Sequence, residues 1–335
     1  MNYSEEVLQV KEQVELVDIL QKSDQQSSIE EIKTGLLASK KYISPKYFYD
    51  EVGSKLFEEI TQLQEYYPTN TEKRIISNLY ADLKMSLSGY NVVELGSGDH
   101  TKISLFLNQV PKHELSKITY CPVDISKSAI KRAASHLSMH YPELLIRGVV
   151  ADFIQQLSQL SFKGKNLFLF LGSTIGNLSK TERQTFMQQL SQVMKPGDKL
   201  LLGMDLVKDF SILEKAYNDD KKVTDKFNKN ILRVVNNMMG SNLNTNDFKH
   251  HAFYNHVDDR IEMHLIANRT MTIDFPLINH KIVFKKGESI HTENSHKFNP
   301  ASIKQIGDMG NLKLDNIFTD NKQWFSLSLF TKNLL

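Results

Sequence analysis

The sequence predicts an α/β protein built on a doubly wound parallel sheet, with a second, inserted α+β domain. Three observations carry this expectation. Between residues 90 and 206, apolar runs of strand length alternate with amphipathic stretches of helix length, the pattern of strands buried on both faces beneath covering helices. The first of these runs, NVVELGSGDHT from Asn91 to Thr101, ends in an acid and turns through two glycines. Beyond about Lys208 the alternation gives way to a helix pair and then to extended segments with hairpin-like breaks, so a different body interrupts the sheet domain.

Taken in order, residues 1 to about 40 are polar, with Val7, Val10, Val14, Val17 and Leu20 near helical spacing, which predicts helix interrupted at Gln25 to Ser28. From Lys41 the chain carries five tyrosines before Pro68. Such a density suits core packing or the lining of a polar pocket, and the residues alone leave both open. Thr69 with Glu72 reads as a capping box opening a helix to about Leu87. Then come strand Val92 to Glu94, helix Lys102 to Gln109, strand Ile118 to Val123, helix Ser126 to Met139 and strand Leu145 to Val150. Strand Leu167 to Leu171, a helix from Ser179 with Glu182 as its capping partner, and strand Leu200 to Met204 complete the repeat. Helices are expected at Phe210 to Tyr217 and Val223 to Met238. Extended segments follow at Ala252 to Val257, Arg260 to Ile273 and Lys281 to Phe284, broken at Asp258-Asp259 and Asn279-His280. Helix Pro300 to Met309 and the alternating WFSLSLFTK return to the sheet. The expected division is 71–206 with 297–335 for the ligand-binding sheet domain, and 1–70 with 207–296 for a second domain facing its cleft.

A formal net charge of +2 with no long run of one sign gives no electrostatic footprint for nucleic acid. The single cysteine, Cys121, excludes an intrachain disulfide and a cysteine-rich metal site. The amino-terminal residues lack a signal-peptide arrangement, and no apolar run approaches membrane-spanning length. The expectation is a cytoplasmic protein without a membrane partner. His250, His251 and His256 invite a metal reading, but no carboxylate or cysteine pattern completes it, so they read as solvated loop histidines and no metal is expected.

In doubly wound sheets a ligand lies beyond the carboxyl ends of the strands. Here the first strand ends with Glu94 and the Gly96 to Gly98 turn, the second with Asp124, the third with Asp152 and Phe153, and the fourth with the loop Gly172 to Asn177. Glycines without a Cβ let backbone approach a ligand, and the helix start near Lys102 offers unpaired N–H groups. Position 101, where a third glycine of the dinucleotide fingerprint would fall, is Thr101, so a pyrophosphate pattern is incomplete. Glu94 before the first glycine suits a ligand carrying an ammonium group, which points to S-adenosylmethionine. Asp124, 26 residues after Gly98, is placed for ribose hydroxyls, and Asp152 for an adenine amine beside the Phe153 ring. Either acid could instead cap a helix.

The segments YFYDEVGSKLFEEIT, EYYPTNTE, VVELGSGDHTK, FLGSTIGNL, DLVKD, AYNDD, FNKNIL, RIEMHL and TENSHKF, in that order, resemble the histidine-specific Nα-methyltransferases of ergothioneine biosynthesis from residue 29 onward. The resemblance implies a Rossmann-like class I S-adenosylmethionine-dependent methyltransferase domain that trimethylates the α-amine of L-histidine to hercynine. It implies cofactor contacts at Gly96, Lys102, Asp124, Asp152 and Phe153, to which the strand-end reading adds Glu94 and Gly98. For the amino acid it implies Tyr66, Asn177 and Tyr217 around the amine and carboxylate, Tyr49, Glu293 and Ser295 at the imidazole, Gly172 and Thr174 nearby, and Met263 against the ring. Asn177 and Tyr66 are then the catalytic pair, orienting the amine. It also suggests a monomer. Asp99-His100 and the first 28 residues depart from the family pattern. The rival readings are the same fold acting on another aromatic amino acid or related amine, a catalytically silent cofactor-binding module, a nicotinamide oxidoreductase and a nucleic-acid methyltransferase. The missing third glycine weighs against the oxidoreductase, and the charge balance against the nucleic-acid enzyme.

Overall fold

The computed structural model of the chain describes residues 13–20 and 25–333. Its strands, in chain order, are β1 (Val14–Asp18), β2 (Lys41–Tyr42), β3 (Tyr90–Leu95), β4 (Thr119–Asp124), β5 (Leu145–Val150), β6 (Lys165–Phe170) and β7 (Lys199–Asp205). They continue with β8 (Phe248–Asn255), β9 (Arg260–Ala267), β10 (Met271–Phe275), β11 (His280–Phe284), β12 (Ser289–His296), β13 (Leu312–Thr319) and β14 (Phe325–Lys332). Two compact units result. One takes residues 13–20, 71–206 and 298–333, and the other residues 25–70 and 207–297. Among the described residues no helix is long and apolar enough to cross a membrane.

The first unit is an eight-stranded sheet in the order β1-β5-β4-β3-β6-β7-β14-β13. The strands from β1 to β7 run parallel, and β14 and β13 add antiparallel at one edge. β3 lies between β4 and β6, so the chain winds away from β3 first on one side and then on the other, which makes the β3/β6 boundary the switch point. Both faces are dry. Val92, Tyr120, Ile146 and Leu167 join one apolar cluster, while their chain neighbours Val93, Cys121 and Phe168 join the other, as side chains alternating on strands covered from both sides must. Ser179 caps the helix Lys180–Val193 with Glu182 closing the capping box. Ser126 caps Lys127–His140 by accepting from the Ala129 N–H.

Three expectations are corrected here. Val14 to Asp18 is a strand, not helix. It pairs in parallel with β5 from Val14↔Ile146 to Asp18↔Val150, and Val14 and Leu16 bury into the sheet's apolar cluster. The alternation of Val14, Leu16 and polar neighbours at period two fits the same residues as well as helical spacing does, and an open sheet edge decides between them. This segment therefore belongs with the sheet and not with the second body; Val7 and Val10 lie outside the described residues. Gln25 to Ser28 opens the helix Gln25–Leu37 and does not break one. Thr69 is no cap: the helix Tyr67–Ile76 already encloses it, and a second helix, Leu79–Leu83, follows.

The second unit centres on a four-stranded sheet in the order β2-β12-β9-β8, with β10 and β11 as a separate antiparallel pair. The helix Val223–Met239 packs on β8, β9 and the helix Glu51–Thr61. It buries Val223, Phe227, Ile231, Val235 and Met239, one stripe at near-fourfold spacing, and ends at Gly240 in the left-handed region. The predicted extended run Arg260 to Ile273 is two strands, β9 and β10, that pair with different partners. β12, which carries Glu293 and Ser295, was not expected as a strand.

Candidate functional site

In the sheet unit the predicted cofactor residues meet at the ends of β3, β4 and β5. Gly96 and Gly98 have φ of +72° and +52°, a conformation that L side chains resist. A Cβ at Gly96 would stand 3.2 Å from the Phe153 ring, whereas one at Gly98 would meet nothing within 4 Å. Phe153 thus lies against the first glycine, and the turn is open above the second. Asp124 holds this turn, with Oδ2 accepting from the Gly98 N–H at 3.0 Å and Oδ1 from the Ser126 N–H at 2.9 Å. Asp152 Oδ1 accepts from the N–H groups of Ile154 and Gln155, so one oxygen does the local capping work. Asp99 Oδ1 accepts from the Thr101 N–H, opening the helix Thr101–Leu107.

Glu94 is buried and its Oε2 accepts from the Tyr120 hydroxyl at 2.6 Å. Burial pushes its carboxyl up to about 8, against the opposing pull of the Tyr120 hydrogen bond and the Lys102 ammonium. Lys102 pairs with Glu72 at 2.7 Å, and Glu72 Oε1 accepts from the Gly172 N–H at 2.7 Å. Gly172 and Ser173 both have positive φ, and Thr174 Oγ1 donates to the Leu171 carbonyl. These bonds fix the loop after β6, and the one-turn 3-10 helix Thr174–Asn177 presents Asn177 at its end.

In the second unit the predicted substrate residues form a continuous set. Tyr217 ends the helix Phe210–Tyr217, capped at its start by Asp209, and its hydroxyl donates to Ser295 Oγ at 2.7 Å. The ammonium of Lys297, itself buried, donates to Ser295 Oγ at 2.8 Å and to the Tyr217 hydroxyl at 3.2 Å. Tyr66 meets Tyr217 edge-on with ring centroids 6.2 Å apart, and Phe57 links Tyr66 to Tyr49. Glu293 sits directly across from Met263 in the β12–β9 ladder, just past a bulge, and both are buried. Tyr49 as a residue is 45% exposed, but its hydroxyl end is the sheltered part, and desolvation, then the Glu293 carboxylate and Tyr217, hold that hydroxyl above the usual range. Among the tyrosines, Tyr47 and Tyr67 are core, whereas Tyr42 and Tyr49 are exposed, so the tyrosine-rich segment serves both purposes. His250 corrects an expectation: it lies in β8 with one ring nitrogen 2.8 Å from Asn228 Nδ2 and the other 2.8 Å from the Tyr217 carbonyl, and is no solvated loop residue.

A family model described as histidine-specific methyltransferase, SAM-dependent, matches residues 28–332. The chain belongs to that family. It is 37% identical over 300 residues to the histidine N-alpha-methyltransferase of Mycolicibacterium smegmatis, covering 89% of this chain and 93% of the relative. The enzyme of the same name from Mycobacterium tuberculosis is 37% identical over 302 residues, with 90% and 94% covered. Ergothioneine biosynthesis protein 1 of Schizosaccharomyces pombe is 27% identical over 300 residues, 85% of this chain and 38% of that longer protein. This methyltransferase uses S-adenosylmethionine, and its residues fit that group: a positive-φ turn open above Gly98, an aromatic ring beside Gly96, and carboxylates at the two following strand ends.

Two residues of the methyltransferase's polar framework escaped the sequence reading. The T-x-x-E signature reads Glu72 as a capping residue, yet it is a fully buried partner of Lys102. Lys297 carried no signal beyond lying two residues after Ser295, the same-face spacing of a strand.

Proposed function

We propose that this methyltransferase trimethylates the α-amine of L-histidine to hercynine, the opening step towards ergothioneine. The observation that carries the reading is the donor arrangement around Ser295. Its oxygen receives two hydrogen bonds, from Tyr217 and from Lys297, so its own hydroxyl proton is left to donate. Glu293, two positions along the same strand, is an acceptor. A neutral imidazole has one bare nitrogen and one N–H, and this pair of groups matches it; an apolar ring would leave both unpaired at a cost of about 1–3 kcal/mol each. Met263, paired across the ladder from Glu293, supplies an apolar contact for the ring face.

When bound, S-adenosylmethionine supplies an electrophilic methyl group on a sulfonium. Gly96, Gly98, Lys102, Asp124, Asp152 and Phe153 would hold it, whereas Glu94, which the sequence suggests as a partner for the ammonium group, is buried against the Tyr120 hydroxyl and would support the strand end beneath. Asn177 accepts from the substrate amine through its side-chain carbonyl and turns the lone pair toward the methyl carbon, with Gly172 and Thr174 shaping that loop. Tyr66 fixes the carboxylate, Tyr217 borders the amine while its hydroxyl proton stays committed to Ser295, and both rings favour the growing methylammonium through cation–π attraction. Positioning of this kind is the main requirement of an in-line displacement. The enzyme acts as a monomer in the cytoplasm. The test is calorimetry on Glu293→Ala and Ser295→Ala: histidine affinity falls by roughly 5- to 150-fold, the equivalent of about 1–3 kcal/mol, with S-adenosylhomocysteine affinity unchanged. Unaltered histidine affinity in both variants refutes the imidazole assignment.

A further inference from the structure

The face of the β12-β9-β8 sheet opposite Met263 carries a cluster that the methyl-transfer chemistry does not use. Glu262 and His264 flank Met263 on β9, and His291 is paired with His264 across the ladder. One donor atom from each of Glu262, His264 and His291 lies within 4.8 Å of the other two. We infer that these three residues bind a divalent late-transition cation of the zinc type, through Oε2 of Glu262 and one imidazole nitrogen from each histidine.

The surroundings of Glu262 support this assignment. Its Oε1 is saturated by Arg260 Nε at 2.9 Å, Arg260 Nη2 at 2.7 Å and Asn255 Nδ2 at 2.8 Å. Those bonds lock the carboxylate and leave Oε2 pointing at the histidines, 3.0 Å from His264 Nε2. That separation is close to the roughly 3.3 Å expected between two ligand atoms on one tetrahedral zinc. His291 is steadied by Asn294 Oδ1, 2.9 Å from its Nε2, the kind of outer contact that orients ligating imidazoles. Two nitrogens and one oxygen with a place left for water suit zinc or cobalt better than calcium or magnesium, which prefer all-oxygen sets. Such an ion would pin β9 to β12, the two strands whose opposite face presents Met263, Glu293 and Ser295.

The experiment uses the untagged full chain, titrated with ZnCl2 by calorimetry and with CoCl2 by visible d–d absorption. One ion per chain is expected to bind and to raise the melting temperature. His264→Gln and His291→Gln each weaken binding at least tenfold and abolish the melting shift, and Glu262→Gln, which preserves shape, weakens it as well. His100, His136 and His140 stack on the other unit with centroids 3.6 and 4.1 Å apart, so His136→Gln/His140→Gln is the control and leaves binding unchanged. Absence of binding to the parent chain, survival of binding in His264→Gln/His291→Gln, or its loss in the control overturns the assignment. None of these readouts depends on catalytic activity, so the proposed methyl transfer stands or falls separately.

Discussion

Asn177 and Glu293 divide the proposed chemistry between orientation and recognition. Asn177→Ala is expected to lose at least about 100-fold in kcat, the scale of a displaced reacting group, while calorimetry still finds S-adenosylhomocysteine bound as tightly as in the parent. Loss of cofactor binding in this variant would contradict the division. Which single residues the sequence could reveal follows from their neighbours. Asp124 and Asp152 stood out because a carboxylate just past an apolar run has few reasons to be there, though the structure shows that capping and turn-holding are among them. Glu72 could not be found this way: its partners, Lys102 and the Gly172 N–H, lie 30 and 100 residues further along the chain.

Elements with one strong periodicity and a defined cap were legible. Helices Phe210–Tyr217 and Pro300–Met309 fall where the sequence placed them, and the capping box at Ser179 is formed. β1 and β12 were not, for different reasons. In β1 the helical and strand periods coincide over five residues, and only pairing with β5 separates them. In β12 the sequence SIHTENSH is polar on both faces, because one face carries Glu293 and Ser295 and the other His291 and Asn294; a strand with polar residues on both faces lacks the hydrophobic alternation that announces strands. The consequence for β1 is quantitative. Leu16 is buried and paired with Gly148 of β5, where an added Cβ would come within 2.5 Å of the Leu16 side chain. Leu16→Ala should therefore cost roughly 2–5 kcal/mol of stability in urea unfolding. A change within about 0.5 kcal/mol, the level of an ordinary surface substitution, would mean that this segment is not part of the sheet.

For the molecule as a whole, stability should depend on pH through Glu94. Burial raises its carboxyl from the ordinary 4.5 to about 8, so the folded state holds a proton that the unfolded chain releases. The stabilisation is full below about 4.5 and is lost as pH rises through about 8. Denaturant unfolding across that window should show parent stability falling more steeply than that of Glu94→Gln, in which no proton can leave; parallel curves would place the carboxylate in a polar setting. The identity of the amino acid that this methyltransferase accepts is the central claim. It is tested most directly by mass spectrometry of the products formed when purified protein and S-adenosylmethionine are incubated with a mixture of the common L-amino acids. Mono-, di- and trimethylated histidine alone are predicted; methylation of any other amino acid, or none at all while S-adenosylhomocysteine still binds, would contradict it.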